Sequence, residues 1–242
     1  MSVEGQIYER IYGAIIEQRL PPGTKLGEES LCELFGVSRS RIRKVLYRLG
    51  NESVVMLVPN RGAFVARPSV QEAREVFATR RLLEAEVVRG LAQGLPAGDA
   101  SRLVRHVELE REAHGRHDRR ASIRLSGEFH LLLAELAGNR VIERFLRELV
   151  SRTSLIIAVY EAPGRSCCSF DEHAALIEAI GSGRAEAAVE GMMAHLCGIE
   201  SRLMLERPPR QAVDLKAVFA PPEPGGPTTA RAAGGLTRAG RR

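Results

Sequence analysis

Residues 27–49 read Gly27-Glu28-Glu29-Ser30-Leu31-Cys32-Glu33-Leu34-Phe35-Gly36-Val37-Ser38-Arg39-Ser40-Arg41-Ile42-Arg43-Lys44-Val45-Leu46-Tyr47-Arg48-Leu49, and they decide how the head of this chain folds. Gly27 to Phe35 predicts a short helix with Leu31 and Leu34 turned inward. Gly36 sits just past its end, where a positive φ suits glycine. Ser38 is placed to cap a second helix from Arg39 to Leu49, whose Ile42, Val45, Leu46 and Leu49 fall on one buried face. Two helices about so short a turn form a helix-turn-helix pattern. Between residues 38 and 48 stand five basic residues (Arg39, Arg41, Arg43, Lys44 and Arg48) and no acid. A helix fits the major groove of B-DNA and its first residues reach base edges. Arginine chelates guanine, lysine and serine suit phosphates, and the helix N-terminus adds backbone donors. A run of basics is also what a solvated helix face looks like, so the surrounding elements have to decide.

Upstream, Val3 to Leu20 predicts an amphipathic helix with Val3, Ile7, Ile11, Ala14 and Ile15 on one face, stopped by Leu20-Pro21-Pro22-Gly23. Downstream, Val54 to Val58 and Ala63 to Val65 flank Pro59-Asn60-Arg61-Gly62, a β-hairpin signal. That hairpin makes residues 1–68 a winged helix-turn-helix domain, with Arg61 and Gly62 at a wing tip able to meet the minor groove or the backbone. Charge follows the same division. Residues 1–70 carry 10 Lys/Arg against 7 Asp/Glu, residues 71–206 carry 18 against 21, and residues 207–242 carry 7 against 2, so a basic head and tail flank an acidic middle. The balance favours a nucleic-acid partner for the head.

From Ser69, which caps a helix running to about Gly94, only helical periodicity appears as far as Arg207. Breaks at Leu95-Pro96-Ala97-Gly98, Gly115, Gly138-Asn139, Ala162-Pro163-Gly164 and Gly181-Ser182-Gly183 give about six helices in an antiparallel bundle over residues 69–206. The whole chain is therefore expected to be mostly α. The last segment, 207–242, holds six of the chain's 12 prolines and is expected to be a disordered basic tail. No apolar run is long enough to span a membrane and no secretory signal is present. The four cysteines are too few for a disulfide framework, which points to a reducing cytoplasmic setting. The vicinal pair Cys167-Cys168 is read as incidental, with a redox or soft-metal role as the alternative.

Three histidines stand out within the helical part. His130 lies on an apolar helix, and His173 and His195 are 22 residues apart on successive helices that can bring both rings to one level. Three converging imidazoles suit a divalent transition metal. On spacing alone, three hydrogen-bonded core histidines are the favoured reading. His106, His114 and His117 do not share the pattern, and His114 and His117 are expected in solvent.

The stretch Leu20-Pro21-Pro22-Gly23-Thr24-Lys25-Leu26, followed by Glu29-Ser30-Leu31, Phe35-Gly36-Val37-Ser38-Arg39, Arg43-Lys44-Val45-Leu46 and Arg61-Gly62-Ala63-Phe64-Val65, resembles the N-terminal domain of GntR-type bacterial transcription regulators. Residues 69–206 resemble the FCD effector domain of the FadR-like branch, through Arg80-Arg81-Leu82-Leu83-Glu84, Phe129-His130, Ala137-Gly138-Asn139, Glu172-His173 and Met192-Met193-Ala194-His195-Leu196. About six helices corresponds to its VanR-like variant. The resemblance implies DNA contact by Ser38, Arg39, Ser40, Arg41 and Arg43, with Lys44 beside them and Arg61 and Gly62 on the wing. It implies a zinc, nickel or manganese ion on His130, His173 and His195, with Ser126 standing where the family has an aspartate. It also implies a small carboxylate effector held by Arg80, for which the alternative is an ion pair with Glu84. Asn139 is expected to end a helix rather than bind ligand.

These implications describe a homodimeric regulator, expected to be a repressor, on a palindromic operator. A DNA-binding dimer with a purely structural C-terminal domain is the second reading. A metal-dependent hydrolase is the third, and the lack of a carboxylate base, phosphate loop or nucleophile pattern beside the histidines disfavours it.

Overall fold

The computed structural model describes residues 2–95, 98–161 and 170–205, so Cys167-Cys168 and the tail 207–242 lie outside the described residues. The elements run α1 (Val3–Ile16), β1 (Lys25–Leu26), α2 (Glu28–Phe35), α3 (Arg39–Asn51), β2 (Val55–Val58), β3 (Gly62–Val65), α4 (Val70–Gly94), α5 (Ala100–Gly115), α6 (Arg119–Leu136), α7 (Arg140–Tyr160), α8 (Phe170–Gly181) and α9 (Ala185–Ser201). The chain is mostly α, with a winged helix-turn-helix head followed by a helical bundle. No helix among the described residues is long and apolar enough to cross a membrane.

In the head, α1 and α3 bury Ile7, Ile11, Ile15, Ile42, Val45 and Leu49 against one another. Burial of this kind contributes about 1.5–3 kcal/mol per large apolar side chain. α1 ends four residues before the predicted Leu20, since Gln18 takes φ 58° and turns the chain, and Leu20 then buries beyond the helix. Val3 is 43% exposed, one turn too early to reach the core, and Leu34 is 38% exposed because α2 turns only Leu31 inward. Gly36 takes φ 64°, as its place after α2 requires. Ser38 occupies the N-cap of α3, but its hydroxyl makes no capping bond and lies 3.0 Å from Ser40 Oγ.

The wing has three strands rather than two. β3 lies between β1 and β2, antiparallel to both, with Lys25 opposite Phe64 and Val55 opposite Val65. β1 is invisible to periodicity because a pattern cannot be read over two residues. Asn60 at φ 60° and Gly62 at φ 94° close the wing turn, where a left-handed backbone favours these residue types.

Among the described residues six helices, α4 to α9, form the bundle. The long helix α4 packs along α9 and α7, α6 lies between α5 and α7, and α8 pairs with α9. Asn139 begins a helix rather than ending one: its side-chain oxygen accepts from the backbone N–H groups of Val141 and Ile142 and caps α7. Helix α7 serves both parts of the molecule. Its Leu155 is fully buried within the apolar core of the head, while Ile156 and Ile157 pack in the bundle with Phe77 and Ile199. Around Leu155, Ser151 bonds Tyr12 of α1 at 2.8 Å, and Ser53 of the head donates to Glu148 at 3.1 Å.

Candidate functional site

Two arrangements stand out, one on the head and one inside the bundle. On the head, the apolar stripe of α3 faces inward and leaves Ser38, Arg39, Ser40, Arg41, Arg43, Lys44, Tyr47 and Arg48 exposed. The helix period divides the basic residues between two flanks. Arg41 and Arg48 lean toward α1, where Arg41 lies 3.7 Å from Glu4 and the Arg48 guanidinium sits 3.6 Å above the Tyr8 ring. Arg39 and Arg43 lean toward α2, with Arg39 3.5 Å from Glu29 and Arg43 2.9 Å from Glu28. Gly62 is exposed at the wing tip beside Arg61, which is exposed above Phe64.

Inside the bundle, His130 on α6, His173 on α8 and His195 on α9 meet. His195 Nε2 lies 3.3 Å from His173 Nε2 and 3.2 Å from His130 Nε2, and ligand atoms of all three lie within 4.8 Å of one another. All three rings are buried. Each has a carboxylate at its other nitrogen, contributed from a different helix. Glu84 of α4 lies 2.5 Å from His130 Nδ1, Glu110 of α5 lies 2.8 Å from His173 Nδ1, and Glu172 of α8 lies 2.6 Å from His195 Nδ1. An ionised carboxylate can only accept there, so Glu84 and Glu172 hold the ring protons of His130 and His195 on Nδ1 and leave their Nε2 lone pairs directed inward. Phe129 stacks on His173 at 4.0 Å between centroids and fixes that ring further.

Burial sets the protonation of the cluster. It pushes His130 down to about 3 despite the opposing Glu84 carboxylate. It holds His173 well below its ordinary value, and the neighbouring His195 adds to the effect. Burial also raises Glu110 to about 7, against the pull of His106 and His195. For Glu84, burial would raise the carboxyl, but Arg80 and His130 outweigh it and bring it down to about 2. The hydrogen bond from His195 lowers Glu172, with burial opposing.

His130 and His173 are therefore neutral at neutral pH, the form in which an imidazole ligates metals. Three lone pairs meeting without a proton between them repel unless a cation stands among them. Nitrogens bound at ~2.0–2.1 Å to a first-row ion lie roughly 3.0–3.4 Å apart, which matches the 3.2 and 3.3 Å found here. Arg80 stands against Glu84 and Arg202 acts on Glu172, so the case for a divalent ion rests on the three converging ring nitrogens. The donor set and its surroundings therefore fit such an ion.

Beside His130 is a cavity of about 20 Å³ lined by Arg80, Ser126, His130, Thr153, Ser154 and Ile157, among others. It is large enough for about one water. Ser126 is buried on its wall, one turn before His130. Arg80 is 2% exposed, donates from Nε to Glu84 at 2.6 Å and from Nη1 to Thr153 at 3.1 Å, and its buried Nη2 has no hydrogen-bond partner among the described residues. The ion pair with Glu84 is thus present and still leaves one donor unsatisfied. Glu128 faces elsewhere, toward Arg124 at 2.9 Å.

Glu110 and Glu172 were not singled out from the sequence. Glu110 left a signal, since it falls with Leu103, Val107 and Ala113 on the buried stripe of α5. An acid on an apolar stripe needs a partner. His106 is also part of the surroundings, 2.8 Å from the Leu125 carbonyl and 3.7 Å from Glu110. His114 and His117 are exposed.

Residues 4–65 match the family model for bacterial regulatory proteins of the gntR family, and residues 75–197 match the FCD domain. The chain belongs to the GntR family and carries an FCD domain. Among its GntR relatives, the HTH-type transcriptional repressor RspR of Escherichia coli (strain K12) is 27% identical over 135 residues, 56% of this chain and 59% of that protein. The chain thus spans 59% of the length of this relative. The uncharacterized HTH-type transcriptional regulator YdhC of Bacillus subtilis (strain 168) is 24% identical over 78% of this chain and 86% of its own. A GntR regulator from Rhodococcus sp. RHA1 superposes with a TM-score of 0.76 at 24% identity, covering 86% of this chain and all of that one. Escherichia coli McbR/YncC gives 0.71 at 18% identity over 81% and 94%. These two structures share the fold. The family model describes bacterial regulatory proteins, and the two sequence relatives are named an HTH-type transcriptional repressor and an HTH-type transcriptional regulator.

Proposed function

We propose that this chain is a transcription regulator that binds duplex DNA through the exposed face of α3 and the wing, and that a small carboxylate and a divalent cation in the bundle tune that binding. The observation that carries the reading is the shared helix α7. One side of it contributes Thr153 and Ser154 to the wall beside Arg80, and the other contributes Leu155 and Ser151 to the docking of the head.

In this reading His130, His173 and His195 hold the cation (zinc, nickel or manganese), and Glu84, Glu110 and Glu172 hold the rings. The cation supplies a positive anchor for an anionic oxygen. Arg80 Nη2 offers the second anchor, as a guanidinium does for carboxylates. Ser126 is too weak a donor to replace a carboxylate ligand, which leaves that side of the site to water or to the effector. The nature of the acid is open to test. One relative, a regulatory protein of Escherichia coli (strain K12) whose name assigns it provisionally to the L-lactate dehydrogenase operon, puts 2-hydroxy acids first among the probes.

The cavity of about 20 Å³ accommodates no organic acid without widening. Its wall residues Gly127, Val150 and Ser154 also line a groove of about 380 Å³ between head and bundle, together with Tyr12 and Ile16 of α1. Widening on the ligand side therefore separates α6 from α7 where the head is seated. That is a physical route by which a ligand biases head placement, and DNA and ligand then alter each other's affinity by one factor. One recognition helix covers a half-site, so a homodimer on a palindrome is the expected working form, in the cytoplasm. If the protein represses when bound to its operator, ligand binding relieves that repression once the undocked head no longer fits both half-sites.

The test is a DNA-binding titration of the full chain against the duplex it selects from a random library, with and without a panel of carboxylates, alongside melting curves with zinc, nickel and manganese. The proposal expects one acid to shift DNA affinity in the wild type and not in Arg80→Met, and one metal to raise the melting temperature in the wild type and not in His195→Ala. DNA binding that ignores every acid and metal would favour the structural-domain alternative.

A further inference from the structure

Acidic side chains stand among the arginines of α3, on a face where a polyanion is to dock. Two of the contacts are loose, Glu4 at 3.7 Å from Arg41 and Glu29 at 3.5 Å from Arg39, and neither is a hydrogen bond. The third differs in kind. Arg43 Nε–H donates to both carboxylate oxygens of Glu28, at 2.9 and 3.0 Å. The hydrogen bond and the charge of Glu28 raise the Arg43 pKa above its ordinary value.

The Arg43 side chain is 58% exposed and that of Glu28 32%, so the pair is largely solvated and contributes little to folding. A carboxylate on a phosphate-facing surface also opposes DNA. Glu28 therefore weakens non-specific binding without a matching gain in stability, and its effect has to be sought through the arginine. Arg43 lies with Glu28, Tyr47, Val58, Asn60 and Gly62 along a groove of about 370 Å³ between α3 and the wing. With Nε committed to Glu28, the side-on approach of the guanidinium is closed. Nη1 and Nη2 hydrogen-bond no described residue. Those two nitrogens form the end-on fork that matches guanine O6 and N7. Holding the long side chain in place before DNA arrives also removes rotamer entropy that binding would otherwise lose.

We propose that Glu28 is a positioning residue for sequence reading: it clamps Arg43 so that its Nη1–Nη2 end is presented to a base pair, whereas Arg39 and Arg41, whose acids are loose, serve phosphates. The inference rests on the reading of α3 as the DNA-contacting helix. It goes beyond that reading in naming an acid as a determinant of specificity and in separating the three arginines by role.

The experiment uses the full chain, the duplex that the wild type selects from a random-sequence library, and an unrelated duplex of equal length, each at two salt concentrations. Glu28→Ala should bind the unrelated duplex more tightly, because a negative charge is gone. It should bind the selected duplex about tenfold more weakly, the scale of one misread base pair. Glu28→Gln, whose amide oxygen still accepts from Nε, should restore most of the discrimination. In an Arg43→Ala background, Glu28→Ala should cost no further discrimination. Melting temperatures of the Glu28 variants should stay at the wild-type value, so a fold defect would be visible separately. If Glu28→Ala strengthened binding to both duplexes by the same factor, or if its loss of discrimination persisted without Arg43, the positioning role would be overturned. A wild type that selects no duplex at all would instead overturn the DNA reading of α3, which is a different result from a discriminating wild type with an equally discriminating variant.

Discussion

The head and the bundle both rely on carboxylates set against nitrogen donors, at opposite levels of solvent. On α3 the pairs are exposed, at 3.5 and 3.7 Å for Arg39 and Arg41. In the bundle Arg80 and Glu84 are each 2% exposed at 2.6 Å, and the histidine–carboxylate contacts are of similar length. Exposed pairs can be traded for phosphates at small cost, because water already screens them. Buried pairs cannot be traded, because removing one partner strands a charge in a medium that does not solvate it. The same chemistry therefore makes a replaceable docking surface at one end of the molecule and a fixed scaffold at the other.

The sharpest way to break that contrast is Glu84→Ala, which strands both Arg80 and His130. It should lower stability by about 3–5 kcal/mol in urea titration, and a loss of less than 1 kcal/mol would show that water reaches the site. Leu155→Ala removes the bundle's contribution to the head core and should cost about 2–5 kcal/mol, with separate melting of head and bundle by calorimetry as its signature.

Metal should act on the buried side alone. A fitting divalent ion at a hundred times its Kd should add about 2.7 kcal/mol, reversed by chelator and absent in His173→Ala. Glu172→Gln should keep the ligands yet weaken metal binding about 10–100-fold, read by competition with a chromogenic chelator.

With divalent ions removed, acid should weaken the bundle. The unfolded chain takes up protons on histidine below its ordinary 6.5, while folded His130 resists down to about 3. Stability present above that ordinary value is lost as pH falls toward the folded one, and His173 adds to the loss. Glu84 adds a further loss between its ordinary 4.5 and about 2. Glu110 works in the opposite sense, its contribution present below 4.5 and lost as pH rises through about 7. Two histidines outweigh one carboxyl, so the urea midpoint should fall from pH 7 to pH 5, and a flat profile would contradict neutral buried rings.

The smallest effects on folding belong to the head. Arg39→Ala and Arg41→Ala should leave the melting temperature unchanged, while each weakens DNA binding and lowers the salt slope by about one. Equal binding by both variants would remove α3 from the interface.

Particular residues show how far the sequence could be read. Gly36, Ser38 and the apolar spacing of Ile42, Val45 and Leu49 announce the turn and the second helix because these signals are local. Asn139 misled, since asparagine suits both a helix end and a helix start, and only the backbone of α7 decides between them. Spacing put His173 and His195 on successive helices, but only the family resemblance joined His130 to them, since spacing along a chain does not say which distant helices are neighbours. Glu110 escaped notice for the same reason: its partner His173 is 63 residues away.

Composition and periodicity alone therefore determined a basic winged head, an acidic helical bundle and three candidate histidines within it, because helix phase and turn propensity act over a few residues. Tertiary packing alone decided which carboxylate holds which ring, that α7 belongs to both halves, that the cavity beside Arg80 is one water wide, and that Glu28 grips Arg43. Those outcomes depend on how side chains distant in sequence share a limited volume, and no local preference encodes that.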